Sequence, residues 1–207
     1  MSIIKLNNKA VSNATAFGSI TSLGSMTFIK KLTASSSATL SFVDGTDGVV
    51  LDDTYKEYVF TFNNIHPATD SANFQVNFRD GGTDYDAVKT TTAFFAFHQA
   101  SNGSTNLTYS TASDLAQGTG FFKIMTTMGN DNQGSGVGSL RLFNPSSTTF
   151  VKHFMSDCNN WHSNDSNATV NWRTAGYCNT TNVIDGVQFK FDSGNIDAGD
   201  ICLYGIA

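Results

Sequence analysis

Charged residues are scarce in this sequence. Asp, Glu, Lys and Arg make up 14% of its 207 residues, where an ordinary soluble domain has about 25%. Glutamate occurs once, at Glu57, so long helices with paired surface charges are not expected. Hydrophobic residues still reach 40%, which excludes intrinsic disorder. The chain has 25 Thr, 22 Ser and 20 Asn, and these predict a surface of neutral hydrogen-bonding groups.

Positive charge is also scarce, and it is scattered along the chain. There are 12 Lys and Arg against 17 Asp and Glu, a net charge of −5. Nucleic-acid binding requires a basic patch, so no nucleic-acid partner is expected. No hydrophobic run is long enough for a signal peptide or a membrane span. We therefore expect a protein that is made in a cytosol and does not insert into a membrane.

Cysteine is too rare and too irregular for a disulfide framework. Cys158, Cys178 and Cys202 are an odd number without a Cys-x-x-Cys spacing, which predicts free thiols and argues against a four-cysteine zinc site. Cys158 lies between His153 and His162. This spacing matches no standard zinc pattern, and we expect His153 on a strand and His162 in a loop.

Catalytic motifs are missing as well. The sequence contains neither a nucleophile elbow nor a phosphate-binding glycine loop followed by a helix. Four aspartates could gather hard oxygens for calcium, but they lack EF-hand spacing and are better explained as hydrogen-bonded turns: Asp44, Asp47, Asp52 and Asp53. We expect no catalytic residue, no cofactor and no metal.

The positive signal is an alternation of hydrophobic and polar residues from residue 37 onward. A period of two places side chains on one face of a β-strand. Clusters of Gly, Asn and Asp separate the alternating segments and favour turns. About ten short strands without a helical period predict an all-β fold, a two-sheet antiparallel β-sandwich that is jelly-roll-like and covers residues 33–207. The alternating core residues include Leu40, Phe42, Tyr58, Phe60, Phe62, Phe74, Val76, Phe78, Leu140, Leu142, Val187, Phe189, Phe191, Ile201 and Leu203.

Residues 1–32 differ from the rest and predict an N-terminal extended arm. They are rich in small and amide residues, and residues 26–32 can form a first strand. Such an arm is expected to hold another surface, either a neighbouring protein or a second subunit. The apolar residues assigned to this contact are Phe17, Ile20, Leu23, Met26 and Phe28.

The 17 phenylalanines are best explained as the core of the sandwich. Two pairs of consecutive rings, Phe94-Phe95 and Phe121-Phe122, do not fit alternation, because one ring of each pair must point outward. These outward rings predict a second buried surface, which we interpret as a subunit interface.

A carbohydrate site is the binding site that the composition favours most. The stretch from Asn159 to Asn171, predicted as an Asn-rich loop, combines aromatic faces with amide donors and acceptors. The alternative is that Trp172 belongs to the core and Trp161 anchors a loop. The residues assigned to glycan binding are Trp161, His162, Trp172 and Tyr177.

Three segments carry a resemblance to a known family. They are YKEYVFTFNNIHPATD at 55–70, LFNPSSTTFVKHF at 142–154 and IDGVQFKFDSGNIDAGDICLYGI at 184–206. They resemble structural proteins of marine tailed bacteriophages, cyanophages especially, and the likeness extends over nearly the whole chain, including ATAFGS at 14–19. The last segment is also similar to phage fibre and capsid-surface sandwiches.

The resemblance implies a non-enzymatic virion component, with other virion proteins as partners and no catalytic residue to transfer. The first hypothesis is a tail-associated or fibre-type protein that meets a host-surface glycan. The second is a capsid decoration or cement protein on the major capsid protein, and the third is a glycan-degrading virion enzyme, for which no carboxylate pair is specified. A homotrimer suits both fibres and capsid three-fold positions.

Overall fold

The computed structural model describes residues 25–163 and 167–207. Its regular elements are twelve β-strands: β1 (Met26–Thr33), β2 (Leu40–Val43), β3 (Glu57–Pro67), β4 (Ala72–Arg79), β5 (Lys89–Gln99), β6 (Thr105–Tyr109), β7 (Phe122–Met128), β8 (Gly136–Phe143), β9 (Lys152–His162), β10 (Ala168–Cys178), β11 (Gly186–Phe191) and β12 (Ile196–Ile206). The prediction of an all-β chain is therefore confirmed for the described residues.

The strands form two layers. The larger sheet has the order β1-β12-β3-β8-β9-β10-β5-β6, and the smaller sheet has the order β7-β4-β11-β2. Every strand pair is antiparallel, and the two sheets are joined by the pair Met128–His162 between β7 and β9. We call the face of the larger sheet that is turned away from the smaller one the outer face.

The path of the chain is that of a jelly roll. The first four strands alternate between the larger and the smaller sheet, and the last two, β11 and β12, do the same. Eight strands form two four-stranded layers, β1-β12-β3-β8 and β2-β11-β4-β7, as in the jelly-roll architecture. The other four strands, β9, β10, β5 and β6, extend the larger sheet beyond β8.

Alternation builds the core between these layers. On β3, Phe60 and Phe62 are buried and face Phe189 of β11. The ring of Phe189 also contacts Phe42 and Phe74, with centroids 6.2 and 5.9 Å apart. All fifteen alternating core residues predicted from the sequence are buried, with at most 9% of their surface exposed. Aromatic burial of this extent is the main stabilising contribution.

The extension has a small core of its own. Ala93, Val170 and Trp172 are buried together, and Phe95 and Phe97 pack against them. Phe95 lies parallel to Trp172, with ring centroids 5.2 Å apart. This cluster lies on the inner face of β5 and β10, where the indole of Trp172 reaches the Lys123 carbonyl of β7, and it is separate from the main core.

The outward rings are only partly as predicted. Phe94 lies on the outer face and is 41% exposed, while Phe95 packs on Trp172. Phe122 is buried, and its neighbour Phe121 is half-buried beneath Lys190, whose Nζ lies 4.3 Å from the ring centroid. The subunit interface assigned to these rings stays a prediction.

Residues 26–32 of the predicted arm belong to the sheet, since β1 pairs with β12 along its whole length. Met26 and Phe28 are 46% and 57% exposed, and Phe28 contacts the ring of Tyr204 on the outer face. The other three residues assigned to the arm contact lie outside the described residues: Phe17, Ile20 and Leu23. The division of the chain at residue 32 stays a prediction.

Two lysines are buried in a row with a cysteine. Cys178 of β10 pairs with Lys89 on β5 and with Lys152 on β9, and all three residues are fully buried. Lys89 Nζ donates to the carbonyl oxygen of Ala87 at 2.7 Å, and Lys152 Nζ donates to that of Thr180 at 3.1 Å. Burial lowers the pKa of Lys89 to about 8 from its ordinary 10.5.

Candidate functional site

Trp161 marks the strongest candidate site. It lies near the end of β9, where alternation directs its side chain to the outer face together with Asn159. Its ring lies against Gly129 and Gly134, and a methyl group at either glycine would overlap the six-membered part of the indole. The indole N–H makes no hydrogen bond to any residue that the structure describes. Within the described residues this donor has no acceptor, and it lies beside an aromatic face.

A cavity of about 520 Å³ opens beside this ring, and we call it the Trp161 cleft. Three parts of the chain line it: the end of β5 with Gln99, the start of β8 with Val137, and the β9–β10 hairpin with Thr169. None of its described lining residues carries a carboxylate, an ammonium or a guanidinium group. Its polar side chains are the imidazole of His98 and the amides and hydroxyls of Gln99, Gln133, Ser135, Asn159, Asn167 and Thr169.

Hydrogen bonds hold part of this lining in place. Asn159 Nδ2 donates to Thr169 Oγ1 at 2.8 Å and to the Val170 carbonyl at 3.2 Å. The side chain of Asn160 points to the inner face. Its Oδ1 accepts the Thr126 N–H, and its Nδ2 donates to the carbonyl oxygens of Thr126 and Trp161. Amide and hydroxyl groups that are held in place around one aromatic face can hydrogen-bond a small polar ligand at little entropic cost.

His162 follows Trp161 in the sequence, but its side chain lies on the opposite face of β9. Alternation along β9 directs His162 to the inner face, where its ring meets Phe97 edge-on at 6.0 Å. Burial lowers its pKa below the ordinary value of 6.5, so the ring is neutral at pH 7. The expectation that His162 lies in a loop is wrong, since it ends β9, and it does not line the Trp161 cleft.

Trp172 is not a binding residue, and its assignment to glycan binding is wrong. Only 2% of its surface is exposed. Its Nε1 donates to Thr174 Oγ1 at 3.0 Å and to the Lys123 carbonyl at 3.2 Å, and its ring stacks on Phe95. The alternative interpretation, a core tryptophan, is the correct one.

Tyr177 lies far from Trp161. On the paired strands, Tyr177 is opposite His153, whereas Trp161 is opposite Thr169. Eight residues of strand separate the two positions, about 26 Å at roughly 3.3 Å per residue. Tyr177 is half-buried and lines another cavity of about 420 Å³, together with His153 and Met155.

The predicted loop from Asn159 to Asn171 is mostly strand. β9 continues to His162 and β10 begins at Ala168, so only a short connection separates them. The pairs Asn160–Val170 and Asn159–Asn171 extend the ladder into the Asn-rich stretch. Asparagine has a low preference for strands, and antiparallel pairing outweighs that preference here.

The metal candidates do not come together. Cys158 is buried on the inner face and His153 is exposed on the outer face of the same strand. Burial raises the pKa of Cys158 far above its ordinary value, so its thiol is neutral. Asp44 Oδ1 accepts the Leu51 N–H and Asp52 Oδ1 accepts the Thr54 N–H. Among residues 25–163 and 167–207, no three His, Cys, Asp or Glu side chains are grouped closely enough for a metal ion.

Several lining residues were not found from the sequence. His98, Gln133, Ser135 and Val137 reach the cleft from β5, from β8 and from the segment before it. Only the long-range pairing of β8, β9, β10 and β5 brings them together, and local patterns carry no information on it. The glycines Gly129 and Gly134 were visible only as part of a turn cluster.

No protein-family model, curated protein or solved structure matches the chain. In the part of the chain that the structure describes, no helix could cross a membrane.

Proposed function

We propose that this protein is a non-enzymatic structural component of a bacteriophage virion, tail-associated or fibre-type, that attaches to a host-surface glycan through the Trp161 cleft. The resemblance of its three segments to phage structural proteins supports the virion role and localisation. The cleft supports the attachment role, because it joins an aromatic face to held neutral donors and acceptors. Other virion proteins are its expected partners, and a homotrimer is the expected assembly.

The chemistry of the cleft favours binding over hydrolysis. A glycosidase places two carboxyl groups on opposite sides of the scissile bond, within about 10 Å of each other. The described lining of the Trp161 cleft contains no carboxylate. The side chains present there can orient a sugar by hydrogen bonds and by contact with the indole, but the described lining does not supply the pair of carboxyl groups that glycoside hydrolysis ordinarily uses.

A pair of variants tests the attachment role. Trp161→Ala removes the aromatic face, while Trp161→Phe keeps an apolar ring and loses the indole N–H. We expect the alanine variant to lower adsorption of the phage, or binding of the recombinant chain to host cells, by roughly ten-fold or more. The phenylalanine variant should retain part of the wild-type adsorption or binding. Equal adsorption by wild type and Trp161→Ala, with both proteins folded, would remove the cleft from attachment.

A capsid decoration protein is the second candidate, and one observation favours it. Near the point where β1 begins, Met26 and Phe28 are exposed on the larger sheet, and Tyr204 and Ile206 of β12 lie beside them. An apolar patch of this kind fits a protein partner. Antibody labelling of purified virions separates the candidates. Label on the tail or its fibres supports attachment, and label over the whole head supports decoration.

A further inference from the structure

The Trp161 cleft is not the only hollow on the outer face. A cavity of about 350 Å³ follows it along the β9–β10 hairpin, lined by Asp157, Arg173 and Ala175. The 420 Å³ cavity at Tyr177 comes next and shares Met155 and Ala175 with it. Along β9, the outer-face positions Trp161, Asn159, Asp157, Met155 and His153 therefore line three cavities in succession.

We propose that the Trp161 cleft is one end of a longer groove along β9 and β10 that holds several units of a neutral, linear polysaccharide. This inference rests on the proposed function and extends it to the class of ligand. The groove is about 26 Å long between Trp161 and Tyr177 at the usual rise of a strand. Each end has an aromatic side chain, and the small side chain of Ala175 lies between them on the outer face.

The charges along the groove support a neutral ligand. Its middle cavity is lined by two arginines, and each has a carboxylate partner. Arg173 Nη2 lies 2.5 Å from Asp157 Oδ2, and Arg141 Nε lies 2.5 Å from Glu57 Oε1. The described lining of the Trp161 cleft has no such charged groups. An acidic polysaccharide would have to compete with these carboxylates for the arginines, whereas a neutral chain needs only the hydroxyl and amide groups.

The test measures binding as a function of ligand length and charge. Neutral gluco-, manno- and galacto-oligosaccharides of two to six units are titrated into the full chain by calorimetry, beside oligogalacturonates of the same lengths. We expect a neutral series to bind, with affinity rising about ten-fold or more between two and six units. The acidic series should bind at least about ten-fold more weakly.

Variants distinguish the groove from the cleft. Ala175→Arg blocks the groove where its middle cavity meets the cavity at Tyr177, and it should remove the gain in affinity for the longest oligosaccharides while leaving disaccharide binding intact. Asn63→Arg is the matched control, since it adds the same side chain to an exposed outer-face position on β3. Asp165→Asn removes the acidic residue of the β9–β10 connection and should leave the neutral preference unchanged.

Each other outcome overturns a defined part of the proposal. If the affinity does not rise beyond two sugar units and Ala175→Arg does not change it, the groove is refuted, while the Trp161 cleft remains a binding site. Stronger binding of the acidic series, or a switch of preference in Asp165→Asn, refutes the assignment of a neutral ligand to the described lining. Failure of every neutral series to bind refutes the neutral-polysaccharide groove, whereas the attachment role of the cleft is decided separately by the adsorption of Trp161→Ala.

Discussion

Replacing the buried Lys89 by methionine should stabilise the protein near neutral pH. The ammonium of Lys89 is fully buried, and its hydrogen-bond acceptor is the carbonyl of Ala87. Burial is the main reason that its pKa falls to about 8, and nearby Cys178, Asp86 and Asp80 oppose the fall only in part. Methionine has a similar length and fills the site without a charge to desolvate.

The magnitude follows from the two pKa values of Lys89. A fall from 10.5 to about 8 corresponds to about 3 kcal/mol at 1.36 kcal/mol per pH unit. Between these two values the unfolded chain binds more protons than the folded one, so the free energy of unfolding rises with pH. The full cost of burying the charged Lys89 is therefore present below pH 8. Loss of the hydrogen bond to Ala87 costs about 1–2 kcal/mol, so the net gain at pH 7 is about 1–2 kcal/mol.

Urea denaturation at several pH values measures this effect. The stability advantage of Lys89→Met over the wild type should shrink by about 1 kcal/mol between pH 7 and pH 9, as the wild-type lysine begins to lose its proton on folding. Lys56→Met, at an exposed position, is the control and should show no such trend. The reasoning is refuted if the difference between Lys89→Met and wild type is the same at both pH values.

Three further predictions concern the core, the cleft and the thiols. Phe189→Ala should lower the free energy of unfolding by about 3–5 kcal/mol, because four rings contact Phe189; a loss no larger than that of the exposed Phe94→Ala in urea would contradict it. Gly134→Ala should displace the indole of Trp161 and lower both the Tm and glycan binding; unchanged tryptophan fluorescence would count against it. Cys158, whose pKa is raised by burial, should resist a thiol reagent at pH 8 until urea is added, and fast labelling of the native chain would exclude this.

The fold class was readable from the sequence because alternation is a local property. Positions such as Phe60 and Phe62 reveal their strand without any knowledge of its partner. The order of the strands is different, since the pairing of β10 with β5 joins residues about 80 positions apart. Extension of the larger sheet by four strands could therefore not be predicted.

The difference between local patterns and long-range pairing also explains which residues of the candidate site could be predicted. Trp161 was selected from the sequence because it places a flat apolar face beside the amide donors and acceptors of the Asn-rich stretch. Trp172 looked equally suitable, and only the packing of Phe95 and the hydrogen bonds of its Nε1 show that it belongs to the core. Tyr177 was grouped with Trp161 because the two residues are close in sequence. Along a strand, however, each residue adds about 3.3 Å, so the two side chains lie far apart.

The extension of the larger sheet separates the residues that stabilise the fold from the residues of the proposed binding site. The phenylalanine core lies on the inner faces, between the eight jelly-roll strands and with Phe154 of β9, while the Trp161 cleft lies on the outer face of β5, β9 and β10 and at the start of β8. Substitutions at exposed cleft positions such as Gln133 or Thr169 leave every ring contact of that core untouched. The proposed attachment role therefore allows ligand preference to change during evolution without loss of fold stability.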